Sequence, residues 1–524
     1  MFAALTPLLR LPVRMAALRR ARSFHSRDPR GAQRALLPWL VSRATVTAFG
    51  QQHGFPALAG LSPERLYRQY CRQVPIRTYR QFWDSYFGPC LQNRHDGKKL
   101  ELRDLTWPGL IPWLCETSGT TAPTKYIPFS NDMFAANRRA ALDMMACYLA
   151  AKPESRLIGN TMLYMAGPTS LTRMGDGVQS GDMSAITLQQ RPFWLEPFVE
   201  PKEPLSSATW EQRLGGMARL LIEDRRIRAI SGVPPWILLL LKQVELLSGR
   251  SVSNVLPHLE LIIHGGASLA PYRDEFLTLF GERMPDLLEL LPSSEAFMGF
   301  QAQGEQGMRL TPFYGCFFEF VPMEQLDESG APQADAVAVP LWEVVPGQRY
   351  AVILSTCAGL WRYHIGDTLR FLDTEQYRIE FTGRDKFLDR FEEKVTQGEA
   401  EAAVAAANEQ LGIAVREFMV GPDIGARRHC WVLACRSRAV SAAQVSAFLD
   451  RALMTANADY ATFRSQGRIH APLTLLADED LIYRWSQEAR GKLGGQSKIP
   501  HIDPTPTGGM VADLRTYIQQ HSSR

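Results

Sequence analysis

Apolar and polar residues alternate at helical spacing over 31–49 and 62–87, which predicts helices early in the chain. Ser62 followed by Pro63 marks one helix start, a hydroxyl cap with a proline in the first turn. From about residue 157 the pattern changes. Short apolar runs such as Leu261-Ile262-Ile263 end in glycine-rich turns, and helical stretches such as 274–281 follow them. Strand, turn and helix in that order predict α/β layering. Between about 313 and 382, β-rich runs at 317–321, 336–339, 350–354, 369–372 and 377–381 alternate with turn residues and predict a mostly antiparallel sheet. After Gly383 the chain restarts with an alanine-rich helix over 398–411, strands near 415–421 and 430–436, and a helix at 441–455. A smaller α+β unit of about 140 residues is the expectation there. The boundary is expected near Gly383-Arg384-Asp385, dividing the chain into 1–383 and 384–524.

Composition narrows the picture. The chain has 524 residues, too many for one compact core, and its 45% hydrophobic and 21% charged residues exclude disordered and fibrous classes. Lys and Arg number 58 against 54 Asp and Glu, a net charge of +4 that does not call for nucleic acid. The eight cysteines (71, 90, 115, 147, 316, 357, 430 and 435) form no C-x-x-C pair and no cluster with histidine. That argues against a zinc site or redox dithiol and for buried thiols in a reducing, cytoplasmic setting. The longest apolar run near the middle, Trp236–Leu241, is six residues, far below the ~20 a membrane span needs. Residues 1–30 carry seven arginines and no acidic residue before Asp28. A transit peptide, a membrane-surface helix and a helix packed on the body all fit; the packed helix is the expectation.

Five segments carry candidate chemistry. Thr117-Ser118-Gly119-Thr120-Thr121, ending at Lys125, suits a loop that wraps phosphate with backbone N–H groups, hydroxyls and a countercharge. It lacks the Walker A spacing, and a solvated Ser/Thr loop is the competing reading. Gly265-Gly266-Ala267 follows an apolar run and lets a flat ligand approach the backbone, or is simply a tight turn. Ser293-Ser294-Glu295 places a carboxylate beside hydroxyls after a strand-like run. Either it holds Mg2+ or a serine caps a following helix. Arg362 and Asp367 sit in an aromatic β-rich run; Asp367 after Gly366 suits a ribose hydroxyl, and an Arg–Asp structural pair is equally open. Gly494-Gly495-Gln496-Ser497-Lys498 presents a cation on a glycine-rich loop that can reach a reacting phosphate, or is simply an exposed lysine loop, the commoner case.

Taken in order, these segments resemble the GH3 (auxin-responsive promoter) family, acyl-acid amido synthetases of the adenylate-forming superfamily. The likeness begins near Arg27, with Gln33 and Thr47-x-Phe49-Gly50, and runs to Pro500; Ala358-Gly359-Leu360-Trp361-Arg362-Tyr363 before Gly366-Asp367 is especially family-like. The resemblance implies a large N-terminal adenylate-forming domain with mixed sheets and a β-rich subdomain, and a small mobile C-terminal α+β domain. It implies that ATP and a carboxylic acid form an acyl-adenylate, and that an amine, expected to be an amino acid, takes the acyl group. Thr117, Ser118, Gly119, Thr120, Thr121 and Lys125 would cradle phosphates. Glu295, with Ser294 beside it, would hold Mg2+. Gly265, Gly266 and Ala267 would line adenine, Asp367 and Arg384 the ribose, and Lys498 would bridge the acyl oxygen and the α-phosphate.

Arg173, in the methionine-rich segment 161–175, is a candidate partner for the acid's carboxylate, although core packing is the expected role of those methionines. Ala122-Pro123, Pro292, His364 and His501 depart from the family pattern; Pro123 removes one N–H from the phosphate loop. A monomer without nucleic-acid partners or stable membrane insertion is expected. Two alternatives stand beside the first reading: an acyl-CoA-type ligase passing the adenylate to a thiol, and a catalytically weakened nucleotide- or acid-binding homologue.

Overall fold

The structure, a computed structural model, describes residues 2–521 apart from 96–101, 118–124, 166–169, 192, 202–209, 267–268, 270–271, 303, 328–329, 385–386, 389, 392, 394, 436–439, 491–498, 504 and 506–507. The uninterrupted apolar runs become strands of one twelve-stranded sheet. Its parallel half contains 199–200, 161–164, 227–232, 261–265 and 286–292 in spatial order, and its antiparallel half continues through 297–300, 308–310, 378–384, 363–371, 349–356, 316–322 and 339–340. The β-rich runs expected over 313–382 thus extend the same sheet as Leu261–Gly265. Of the 336–339 run only Val339 lies in a strand, the short Val339–Pro340.

Parallel strands need cover on both faces, and the side chains alternate accordingly. Ile262 packs with helices Trp210–Glu223, Pro234–Ser248 and Arg273–Phe280 on one face, while Leu261 and Ile263 pack with helices Phe2–His25 and Asn131–Ala151 on the other. The arginine-rich first helix lays Ala17, Ala21 and Phe24 into that second core and leaves Leu11, Val13 and Met15 exposed. Among the described residues no helix is long and apolar enough to cross a membrane.

The antiparallel half shares a larger core with the N-terminal helices and a separate four-stranded sheet, ordered 125–129, 113–117, 178–181, 172–175. Several family-like residues hold this junction together. Gln33 donates to the carbonyls of Pro312 and Cys316 and accepts from the Phe318 N–H. Phe49 stacks on Trp361 at 5.6 Å, and the Trp361 indole donates to the Thr106 carbonyl. A Cβ on Gly50 would come within 2.0 Å of the Ala44 carbonyl oxygen, so the close approach there requires glycine.

Residues from 395 onward build a three-stranded sheet, Val415–Asp423 antiparallel to Arg428–Cys435 and parallel beyond it Leu473–Ala477. Its faces alternate: Phe418, Val420, Trp431 and Leu433 meet helices 397–411 and 442–456, while Met419, Cys430, Val432 and Ala434 meet helices 479–490 and 509–521. Thr396 and Glu399 form a reciprocal capping box at the start of the first of these helices. Against the N-terminal body, Arg416 pairs with Glu275, which also meets Lys242 at 2.9 Å, and Tyr483 packs on Trp236.

Candidate functional site

Thr117 stands directly opposite Lys125 in the hairpin of strands Trp113–Thr117 and Lys125–Phe129, so the hydroxyl-rich segment is the connection closing that hairpin. Ser118, Gly119, Thr120 and Thr121, with Ala122 and Pro123, lie outside the described residues. The root of the loop rests on aromatic rings. The Lys125 ammonium lies 5.2 Å from the Tyr79 ring centre, Tyr79 accepts from the Tyr126 N–H at 2.9 Å, and Trp83 stacks against both Tyr79 and Tyr126. Cation–π contact keeps the charge near the loop while leaving it half-exposed.

Ser294 and Glu295 form the tip of a tight turn between strands Asp286–Pro292 and Phe297–Phe300, with Pro292 opposite Phe297. The helix that the capping alternative called for is not there: strand Phe297–Phe300 follows. Ser293 accepts from the Ala296 N–H at 3.0 Å, a cap-like bond three residues on, but the chain turns back into the sheet. Glu295 is 8% exposed. Its charge reaches Cys115 on strand Trp113–Thr117, whose thiol is pushed well above its usual range by burial and by the charges of Asp182, Glu295 and Glu116. Two carboxylates to which the sequence reading gave no role therefore lie near this turn and hairpin. Glu116 accepts from Ser180 at 2.7 Å, and Asp182, raised by burial, caps helix Met183–Gln189. Glu116 adjoins Thr117 in the sequence, and that adjacency was the available signal.

The donor set suits a hard cation with oxygen ligands. Among the described residues no group of three side chains is arranged to hold a metal alone. Mg2+ typically takes one or two carboxylates and completes its shell with water and substrate phosphates, so the Glu295 carboxylate fits it.

Gly265 and Gly266 end strand Leu261–Gly265 at the carboxyl edge of the parallel half, where α/β sheets bind ligands. A Cβ on Gly265 would fall 2.4 Å from the Leu290 carbonyl oxygen, and Gly266 has φ +82°. The glycines therefore have a packing reason as well as the one read from sequence. Ala267 lies outside the described residues. His264, immediately before them, is buried and lowered to about 4 by desolvation.

Asp367 on strand Tyr363–Phe371 stands opposite Arg384 on strand Arg378–Arg384. The two residues assigned to ribose are thus cross-strand neighbours, and Asp367 is 6% exposed. The structural pair considered between Arg362 and Asp367 does not form. Arg362 instead binds Glu319, Nε to Oε2 at 3.1 Å and Nη2 to Oε1 at 3.1 Å, and donates to the carbonyls of Cys71 and Val74. Its partner lies 43 positions away in the chain. Arg173 is exposed on the edge strand Thr172–Gly175, whereas Met165 is buried and Met162 and Met174 pack against cores. Lys498 lies outside the described residues.

Three family models match in order along the chain: GH3 family N-terminal domain over 21–240, central domain over 310–384 and C-terminal domain over 398–506. The chain belongs to the GH3 family. Two rice relatives align with part of it. Indole-3-acetic acid-amido synthetase GH3.8 of Oryza sativa subsp. indica is 31% identical over 173 residues, 31% of this chain and 27% of that protein. Probable indole-3-acetic acid-amido synthetase GH3.4 of Oryza sativa subsp. japonica is 28% identical over 145 residues, 26% of this chain and 23% of that one. The matched stretch thus spans about a quarter of each relative. Among solved structures, GH3.15 acyl acid amido synthetase has TM-score 0.75 at 16% identity, covering 95% of this chain and 94% of that one. A 2-hydroxyisobutyryl-CoA ligase has TM-score 0.56 at 12% identity, covering 92% and 91%. At these identities the likeness is one of fold, and both chains share it with this GH3-family member almost end to end.

Proposed function

We propose that this GH3-family protein is an ATP-dependent acyl-acid amido synthetase. It adenylates a carboxylic acid and passes the acyl group to an amine, most simply an amino acid. The observation that carries the reading is the order of the family matches: Thr117 and Lys125 fall within the N-terminal match, Asp367 and Arg384 within the central one, and Lys498 within the C-terminal one. The relatives named as amido synthetases support the reaction class.

The chemistry follows from charge. A carboxylate and a triphosphate repel, so the site must hold both with fixed donors before reaction. In this proposal Thr117, Ser118, Gly119, Thr120, Thr121 and Lys125 hold the β- and γ-phosphates, and Glu295 with Ser294 beside it holds Mg2+, which would neutralise phosphate charge. Gly265, Gly266 and Ala267 flank adenine, and Asp367 with Arg384 orients the ribose. Lys498 stabilises charge on the acyl oxygen and the α-phosphate as the acyl–phosphate bond forms and pyrophosphate leaves. Residues 1–383 form the nucleotide- and acid-binding unit and 384–524 a smaller unit carrying Lys498. Eight free thiols, six of them buried, support a reducing, cytoplasmic setting; a monomer is the simplest assembly.

The test is ATP–pyrophosphate exchange with aryl, indolyl and fatty acids, in the native protein and in Lys498→Ala. Acid-dependent exchange that collapses in the variant supports adenylation, and an amino-acid screen then identifies the acceptor. Thioester with coenzyme A and no amide with any amino acid moves the assignment to an acyl-CoA ligase. ATP binding without exchange for any acid moves it to a binding homologue.

A further inference from the structure

Three residues after Lys498, the chain is fastened to the C-terminal sheet in an unusual way. His501 is buried, with Nδ1 2.7 Å from Glu401 Oε1 and Nε2 2.8 Å from Glu417 Oε1. With both glutamates ionised, each can only accept, so both ring nitrogens donate and the ring is an imidazolium. The ring also stacks on Phe418 at 4.2 Å. Its backbone is held too: the His501 carbonyl accepts from the Val420 N–H at 2.8 Å, the Asp503 N–H donates back to the Val420 carbonyl at 2.7 Å, and Ile502 bridges Val420 in parallel register. Upstream, Ile499 packs on the core of the same sheet.

We propose that His501 is a positioning residue for Lys498: clamped between Glu401 and Glu417, it fixes the C-terminal end of the lysine-bearing loop. The proposal rests on the adenylation role given to Lys498 above. Three residues extend at most about 10 Å, so the anchor limits how far the Lys498 backbone can stray from the sheet. The groups facing the clamp come from four elements. Glu401 lies on helix Gln397–Leu411, where Gln397 also donates to it at 2.7 Å. Glu417 and Arg416 lie on strand Val415–Asp423, and Arg416 pairs outward with Glu275. Tyr483, from helix Glu479–Arg490, donates to Glu417 at 3.4 Å, and Tyr272 of the N-terminal body feels the charges of both glutamates.

The two carboxylates hold His501 up at about 10 despite burial. Because the folded value lies above the unfolded one of 6.5, the clamp's stabilisation is complete below about pH 6.5 and is lost as pH rises through about 10. The order matters for function. Deprotonation leaves one carboxylate facing an acceptor nitrogen and loosens the segment carrying Lys498.

The experiment compares adenylation and acyl transfer in the full chain with His501→Gln, His501→Arg and Glu401→Gln. Expected for His501→Gln is a ten- to hundredfold lower kcat for adenylation, KM for ATP within about threefold, and normal transfer from supplied acyl-adenylate. His501→Arg, with donors for both carboxylates, restores most of kcat. In Glu401→Gln the alkaline limb of kcat moves to lower pH, and this variant decides the matter should His501→Gln not fold. Trypsin cleavage after Lys498, read by mass spectrometry at pH 8, accelerates in His501→Gln by more than cleavage elsewhere in the chain; this readout needs no enzymatic activity. Unchanged adenylation kcat and cleavage rate in His501→Gln, or an alkaline limb that stays in place in Glu401→Gln, overturns the proposal. Faster cleavage in a protein with no exchange activity would instead overturn the synthetase reading and leave the anchor standing.

Discussion

Asp367 and Arg384 face each other across an antiparallel ladder, and the next pair in that register, Thr368 and Gly383, leads straight to the second unit of the chain. Thr368 Oγ1 lies 2.8 Å from Thr382 Oγ1 and donates to the Gly383 carbonyl at 3.1 Å. Gly383 has φ +103°, and a Cβ there would stand 3.0 Å from the Gln397 side chain. Gly398 likewise leaves room for the Thr382 carbonyl. Strand Arg378–Arg384, which carries Arg384, is therefore packed against helix Gln397–Leu411 of the C-terminal unit.

Asp367→Ala is expected to act on nucleotide binding. Loss of a hydrogen bond to a charged group costs about 1.5–3 kcal/mol, which is roughly ten- to a hundredfold in kcat/KM for ATP. The check is ATP–pyrophosphate exchange at varied ATP, with the melting temperature measured alongside. A variant of normal stability whose KM for ATP is unchanged would remove Asp367 from the ribose site.

Glu295→Gln keeps the size of the turn residue and removes its charge. If Glu295 holds Mg2+, exchange falls by about two orders of magnitude, as loss of one preorganised electrostatic group does elsewhere. Raising Mg2+ recovers part of it. Lost exchange with no dependence on Mg2+ would assign Glu295 a purely structural role.

Arg362→Ala should damage the fold before it damages chemistry. Glu319 is 1% exposed and would be left buried without its countercharge, a loss of about 3–5 kcal/mol. Tyr67 and Tyr70, which surround the pair through Glu319 and Ser355, would lose their arrangement too. Urea unfolding is the measurement. Replacing both partners, Arg362→Met with Glu319→Leu, is expected to recover most of the loss, because it leaves no unpaired charge. Full stability of Arg362→Ala would contradict the assignment.

What the sequence disclosed depended on how local the cause was. Leu261–Ile263 and the 350–354 run are read as strands because continuous apolar stretches need cover on both faces, and both are strands. The helix over 398–411 is legible for the same local reason, with Thr396 and Glu399 closing its start. Ser293 shows the limit. Its hydroxyl bonds the N–H three residues on, as it would in a helix cap, so the same local chemistry serves a hairpin turn. The partner of Arg362 could not be read, because Glu319 comes beside it only through pairing of Cys316–Pro322 with Arg349–Thr356. Asp182 and Glu295 lie far from Cys115 in the chain, and folding alone brings their charges to bear on it, whereas Glu116 is its sequence neighbour. The order of the motifs was legible along the whole chain, whereas the side chains that support them were not.

His264 sets an expectation for acid stability. It is 2% exposed, its Nδ1 is buried without a hydrogen-bond partner among the described residues, and desolvation lowers it from 6.5 to about 4. Between those values the unfolded chain binds the proton and the folded one does not, so stability falls as pH drops from about 6.5 to about 4. The contribution of this ring is at most about 3 kcal/mol. Asp182 and Glu289, both raised by burial, oppose it over part of the same window, so the comparison must be with a variant rather than with the slope alone. His264→Leu replaces an unsatisfied buried group by an apolar one of similar size. It should be neutral or slightly stabilising at pH 7 and should hold its urea midpoint better than the native protein between pH 6.5 and 4.5. An equal acid loss in both proteins would show that His264 is protonated in the fold and has found a partner. Retained stability with lost exchange would place the ring against substrate, beside Gly265 and Gly266.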